Sequence, residues 1–385
     1  NRLPGGFAGV DVFFVISGFL ISGSLFGEIA DHGRIRFANF WAKRIRRLLP
    51  AALLVIALTA VVSLIFVPTF TRQGFFAEAI ASTFYVENWQ LAASATNYFA
   101  AQPSPFQHYW SLAVEEQFYL FWPLLLGLVA FIAKRRATFA FGVFIVAASL
   151  ASFGHSLFLT YTQPNLAYFT TLGRVWEFGL GALIALAGHR IRLTDLGRTI
   201  LSLGGFAAIL VSSVWLSEEM PFPGWAALLP ALGTAAVILA GLKSLPTWLD
   251  RLYGLRPVAF TGEISYSLYL WHWPLIILLP WVTGYQPRTI ELVAVLAATY
   301  VLAYLSKRFV EDRFRKMPAL TSRRPRLTFA LAAAVSATIL AFSLVGGAIT
   351  SAQMAGATSR TQTLDRAKND TADPEHKCKI GRAHV

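Results

Sequence analysis

The run Gly5-Gly6-Phe7-Ala8-Gly9-Val10-Asp11-Val12-Phe13-Phe14-Val15-Ile16-Ser17-Gly18-Phe19-Leu20-Ile21-Ser22 decides how the rest of the chain is read. It is apolar enough to enter a bilayer, yet Asp11 stands near its beginning. Glycines and serines recur along it, so neighbouring helices can approach its backbone closely. A carboxylate in such a helix is costly unless it has partners and a purpose. Function is therefore to be sought in what surrounds Asp11.

Several similar runs follow. The 385 residues are 56% hydrophobic and 14% charged, with a mean hydropathy of +0.55. A soluble chain carries roughly 25% charged residues. Many of the apolar runs approach the ~20 residues that a helix needs to cross the hydrocarbon core. The expected fold is all-α, a polytopic transmembrane helical bundle. The net charge of +13 does not point to nucleic acid, because Lys and Arg fall in short loops between apolar runs. The single cysteine, Cys378, allows no intrachain disulfide and no thiolate metal cluster. No His-Glu-x-x-His string suggests a zinc site, so no metal is expected.

Ten spans are expected, over 7–26, 49–67, 110–132, 138–160, 170–188, 199–216, 226–242, 258–280, 289–307 and 327–350. The loops after the odd-numbered spans each hold three or more basic residues, whereas those after the even-numbered spans hold at most one. By the positive-inside rule the first set is cytoplasmic, which places Asn1 and the C-terminal tail outside. An external N-terminus without a signal sequence predicts one more helix upstream, about eleven spans in the intact protein. The segment 75–92 is apolar but contains Glu78, Glu87, Asn88 and Gln90, and reads as a re-entrant or interfacial helix. The expected organisation is a membrane domain over 1–326, an added helix over 327–350 and a polar external linker over 351–379. The last six residues, 380–385, match one translation frame of a common sequencing-adapter oligonucleotide and carry no functional weight.

With each span oriented, polar residues acquire a depth. Asp11, Glu115, Glu116, His155, Arg174, Glu177 and His272 fall in the outer half of five spans, and His108 adjoins them in a loop. Arg174 and Glu177, one turn apart, read either as an ion pair within one helix or as a binding site. Of the adjacent pair Glu115 and Glu116, the expected interior residue is Glu116. His272, between Trp271 and Trp273, also fits an interfacial belt, and His155 fits a structural hydrogen-bond donor. An imidazole oriented by a carboxylate can deprotonate a hydroxyl, which with an acyl donor gives acyl transfer outside the cell. The same cluster would also serve a proton-coupled transporter or flippase for lipid-linked sugars.

The loop Gly33-Arg34-Ile35-Arg36-Phe37-Ala38-Asn39-Phe40-Trp41-Ala42-Lys43-Arg44-Ile45-Arg46-Arg47-Leu48-Leu49-Pro50 is basic, as orientation alone requires. Arg44 and Arg47 nonetheless share a helical face beside Phe40 and Trp41, and such a face can hold phosphates, for example those of a coenzyme A thioester. No Walker-type or dinucleotide glycine loop occurs, and no Gly-x-Ser-x-Gly elbow. Ser17 fits helix packing better than nucleophilic catalysis.

These strings, with His108-Tyr109-Trp110-Ser111-Leu112-Ala113-Val114-Glu115-Glu116-Gln117-Phe118-Tyr119, Arg174-Val175-Trp176-Glu177 and Ile264-Ser265-Tyr266-Ser267-Leu268-Tyr269-Leu270-Trp271-His272-Trp273-Pro274, resemble the membrane acyltransferase-3 family. That group includes O-antigen and peptidoglycan O-acetyltransferases. The resemblance covers residues 5 to about 315 in the family's order. It implies transfer of an acyl group, usually acetyl, from cytoplasmic acyl-CoA to a hydroxyl of an envelope glycan, in the bacterial inner membrane with the tail periplasmic. It further implies that Arg44 and Arg47 bind the acyl-CoA donor. From the outer cluster itself, the expected catalytic residues are Asp11, Glu116 and His108, and the expected substrate-binding residues are Arg174, Glu177, Glu115 and His272. In the family a preceding helix carries an Arg and a His needed for transfer, which here would lie upstream of Asn1. The Trp-His-Trp-Pro string, the added helix and the external linker resemble forms fused to an SGNH-hydrolase-like domain.

Overall fold

The computed structural model describes residues 4–94, 103–217, 219–243, 245–321 and 325–372. The reading of 380–385 lies outside the described residues, as does Cys378. The chain runs through α1 (Gly9–His32), α2 (Phe37–Phe66), α3 (Phe75–Thr83), α4 (Glu87–Ala93), α5 (Tyr109–Ala133), α6 (Ala137–Thr162), α7 (Pro164–Phe169) and α8 (Val175–Ala187). It continues through α9 (Asp195–Trp215), α10 (Leu228–Gly241), α11 (Thr247–Tyr253), α12 (Arg256–Thr283), α13 (Thr289–Ser306), α14 (Asp312–Lys316), α15 (Pro318–Thr321) and α16 (Pro325–Ala372). No strand occurs among the described residues.

Each expected span falls on a helix. Among the described residues seven helices, α1, α2, α5, α6, α9, α13 (extended through α14) and α16, are long and apolar enough to cross a membrane. The protein is a multi-pass membrane protein. The other three expected spans fall on the shorter α8 and α10 and on the more polar α12. The helices α3 and α4 are 9 and 7 residues long. At 1.5 Å per residue neither reaches across a ~30 Å core, in keeping with a re-entrant or interfacial segment. Gln117 Nε2 fastens this segment to α5 by donating to Tyr85 O and Asn88 Oδ1, both at 2.9 Å.

Close approach of α1 to α8 centres the fold. A Cβ on Gly18 would lie 2.0 Å from Phe178 O, and one on Gly181 would lie 2.1 Å from Val15 O. Glycine at both crossing positions lets the two backbones touch, the packing that small residues permit in membranes. Phe14 stacks on Phe178 at 4.7 Å between ring centroids, and Phe178 stacks on Phe118 of α5 at 4.1 Å. The glycine-rich run quoted above is therefore the contact surface that aligns three helices.

Two differences from the sequence reading matter for the site. Helix α2 begins at Phe37, so the basic stretch expected as a loop is the first part of a helix that continues into the membrane. The helix α16 extends to Ala372, over much of the segment read as a linker. Arg72, buried, anchors it: Nε donates to Thr350 Oγ1 at 3.2 Å, Nη2 reaches Gln353, and Nη1 donates to Val67 O at 3.2 Å.

Candidate active site

Asp11 enters the bundle on the first turn of α1 and meets Arg174, the residue that precedes α8. Nη1 of Arg174 donates to Asp11 Oδ1 at 2.8 Å and to Glu177 Oε1 at 3.0 Å. The guanidinium carbon lies 5.7, 5.5 and 5.3 Å from the ring centroids of Trp110, Tyr168 and Phe222. All three ionic side chains are at most 1% exposed. An arginine so enclosed is held by cation–π attraction and by two charge-assisted hydrogen bonds. Asp11 was expected as a catalytic group, with Arg174 and Glu177 as substrate-binding residues. The structure pairs the three with one another between α1 and α8, and among the described residues Asp11 Oδ2, Glu177 Oε2 and Arg174 Nε stay buried without a hydrogen-bond partner.

His108 directly precedes α5 and faces His272 of α12, with ring centroids 6.1 Å apart. Both ring nitrogens of His108 are buried. Burial, reinforced by the neighbouring His272, holds the His108 pKa well below the ordinary imidazole value, so the ring is neutral. Nδ1 of His272 lies 2.6 Å from Tyr269 O. A carbonyl can only accept, so the proton is assigned to Nδ1 and the Nε2 lone pair is left to act as a base. Tyr269 supports the pair by donating its hydroxyl to His108 O at 2.8 Å, and its oxygen lies 2.6 Å from Ser111 Oγ. Trp273 donates its Nε1 to Ser104 O at 2.8 Å, which holds the loop before α5 against α12. His272 is thus a packed partner of His108, half-buried in the bundle.

A polar seam descends α5 from this pair. Ser111, Glu115 and Tyr119 recur every fourth residue, so they share one face of the helix. The Tyr119 hydroxyl donates to Glu115 Oε1 and lies 2.6 Å from Ser17 Oγ on α1. One turn further, Trp122 Nε1 donates to Ser22 Oγ at 2.9 Å. Glu116 was expected as the interior residue of the acidic pair. Instead Glu115 is buried on the α1 side, while Glu116 is half-buried. Successive residues turn about 100° around a helix, and the contact with Ser17 and Tyr119 fixes which one points inward.

The lower end of the seam meets the basic face of α2. Arg44 lies 5.5 Å from the Tyr119 ring centroid and 5.7 Å from that of Phe40. It is within electrostatic reach of Glu115 and Glu116, and Arg47 is within reach of Glu115. Arg46 is committed elsewhere, its Nη1 donating to Leu320 O at 2.9 Å and Thr328 Oγ1 at 3.2 Å. The α2 face that remains carries Arg44, half-buried, and Arg47, exposed. The groups expected in one outer site thus include an ionic cluster between α1 and α8 and a histidine pair, with a seam on α5 running from that pair toward the arginines.

His155 belongs to none of these. It lines an apolar cavity of about 490 Å³ together with Phe121, Leu125, Ala148 and Leu172. The stacked rings of Phe118 and Phe178 also border that cavity. Sequence reasoning missed Tyr119, Tyr269 and Arg72. The four-residue spacing of Ser111, Glu115 and Tyr119 was available as a signal; the partners of Tyr269 and Arg72 lie too far along the chain to leave one.

A family model described as an acyltransferase domain matches residues 3–308. The chain is 32% identical over 322 residues to the peptidoglycan O-acetyltransferase OatA of Listeria monocytogenes, covering 81% of this chain and 52% of that protein. It is 35% identical over 328 residues to YrhL of Bacillus subtilis, a candidate peptidoglycan O-acetyltransferase, covering 82% of this chain and 51% of that one. A candidate O-acetyltransferase of Staphylococcus aureus strain COL is 33% identical over 330 residues, with 82% and 53% covered. The chain thus spans about half the length of the curated relatives it matches. No solved structure matches.

Proposed function

Because this chain belongs to the acyltransferase-3 family, we propose that the whole protein is a membrane O-acyltransferase that acetylates a hydroxyl of a cell-envelope glycan. The donor in this reading is cytoplasmic acetyl-CoA or another acyl-CoA, and the acceptor is peptidoglycan, the polymer in the names of two relatives. The observation that carries the proposal is the seam: two arginines suited to phosphates stand at one end, and a pair of facing histidine rings at the other. Phosphates of the donor bind Arg44 and Arg47 by charge-assisted hydrogen bonds. The acceptor hydroxyl gives its proton to an imidazole, His272 Nε2 or His108, as its oxygen attacks the acyl carbon. The carbon–sulfur bond breaks, a carbon–oxygen ester bond forms, and the thiolate of the donor leaves to be protonated. Asp11, Arg174 and Glu177 hold α1 and α8 in register beneath this chemistry.

Residues 1–326 form the transferase body in this reading, 327–350 an added span, and the tail lies on the periplasmic side of a bacterial inner membrane. The matched relatives extend well beyond the aligned region, which leaves room in the whole protein for an SGNH-like domain acting on the final acceptor. The test uses the full-length protein in vesicles with acetyl-labelled CoA and an envelope glycan. Label in alkali-labile esters of the glycan is expected. Proton-driven uptake of a lipid-linked sugar without ester formation would favour a transporter instead and overturn the proposal.

A further inference from the structure

Tyr119 carries more attachments than a packing residue needs. Its hydroxyl donates to Glu115 and contacts Ser17 Oγ at 2.6 Å. A phenol has a single proton; with that proton directed at the carboxylate, Ser17 is the donor to the phenol oxygen. Its carbonyl accepts a hydrogen bond from Trp41 Nε1 at 3.0 Å, and its ring lies 5.5 Å from the Arg44 guanidinium. One residue therefore ties together α1, α2 and the buried carboxylate of α5.

The ring also lies beside an arginine that couples electrostatically to two carboxylates. Arg44 is within electrostatic reach of Glu115 and Glu116, yet no ion pair joins it to a carboxylate among the described residues. A buried or half-buried arginine beside two carboxylates would ordinarily close onto one of them. The Arg44 guanidinium carbon lies instead 5.5 and 5.7 Å from the Tyr119 and Phe40 ring centroids, within cation–π range. The hydroxyl meanwhile fills one acceptor site of the Glu115 carboxylate and fixes its direction. A phenylalanine would supply the ring alone, and a buried hydroxyl is costly unless bonded; here it is bonded on both sides.

We propose that Tyr119 is a positioning residue, whose ring keeps Arg44 free for donor phosphates while its hydroxyl orients Glu115. The inference rests on the acyltransferase reading above. It predicts that the two halves of the side chain separate kinetically. In the full-length protein, Tyr119→Phe keeps the ring, so the KM for acetyl-CoA stays within about threefold while kcat falls about tenfold or more, as loss of the hydrogen bond that orients the Glu115 carboxyl implies. Tyr119→Leu removes the ring as well, letting Arg44 close onto Glu115, so KM for acetyl-CoA also rises about tenfold. Ser17→Ala lowers kcat in the same direction as Tyr119→Phe, without moving KM. Thermal unfolding of each variant is measured alongside. Variants that lose only stability, with kcat and KM of the folded fraction unchanged, overturn the inference and leave the acyltransferase reading intact. A wild-type protein that transfers no acetyl group overturns that reading, and this inference falls with it.

Discussion

Arg174 is the single residue whose loss the bundle can least absorb. Its guanidinium is enclosed by three rings and serves two carboxylates on two helices. Removing one member of a buried ionic group leaves an uncompensated charge, a loss of about 3–5 kcal/mol. Arg174→Met should therefore lower the thermal midpoint in detergent sharply, and Asp11→Asn, which keeps an acceptor for Nη1, should lower it less. If Asp11→Asn abolishes acetyl transfer at an unchanged midpoint, Asp11 acts in the chemistry and the ionic cluster is misassigned. His272 should behave in the opposite way. His272→Ala should cut kcat by about 10²-fold or more, the usual contribution of a general base, with KM for acetyl-CoA unchanged; unaltered kcat would leave His108 alone as the base. Composition and spacing marked Asp11, Arg174 and His272 as polar groups in apolar runs. Their grouping into an ionic cluster and a histidine pair was not legible, because it depends on side-chain direction and on rings contributed by distant segments such as Phe222. The choice between Glu115 and Glu116 was illegible for the same reason.

Backbone contact dominates at the level of the helices. Gly18 and Gly27 both lie on α1, but a Cβ at Gly18 would clash with the Phe178 carbonyl, whereas one at Gly27 meets nothing within 4 Å. Gly18→Leu should separate α1 from α8 and yield little folded protein. Gly27→Ala should fold normally and gain roughly 0.5–1 kcal/mol from reduced backbone entropy. Equal yields and midpoints for the two would contradict the close α1–α8 crossing. Such a crossing was foreshadowed by the glycines and serines of the opening run, though its partner helix was not. The start of α2 at Phe37 was missed for a different reason. Basic residues outside the membrane read as loop in hydropathy, while the helix continues through them because Trp41, Arg44 and Arg46 find partners on α5 and at the start of α16. Likewise α16 outlasts its apolar stretch. Arg72 grips Thr350 and Gln353 at the point where the sequence turns polar, so Arg72→Ala should increase proteolysis after residue 350, and an unchanged cleavage pattern would show that the clamp is not needed.

For the whole molecule, the alternation of basic loops in the sequence assigned the arginines of α2 and the histidine pair to opposite sides of the bundle. What no loop count contains is the connection between them. Ser111, Glu115 and Tyr119 form that connection down one face of α5, between the pair His108–His272 and the pair Arg44–Arg47. The central claim is that a donor held by these arginines reacts at the other end of the same seam. Its most direct measurement is the initial rate of labelled acetyl transfer by full-length protein in sealed vesicles, with acetyl-CoA supplied only at the α2 side, for wild type and for Arg44→Ala with Arg47→Ala. The account predicts transfer by the wild type and a KM for acetyl-CoA raised about 10²-fold or more in the folded fraction of the double variant, as loss of two charge-assisted phosphate contacts implies. An unaltered KM in the double variant would contradict it.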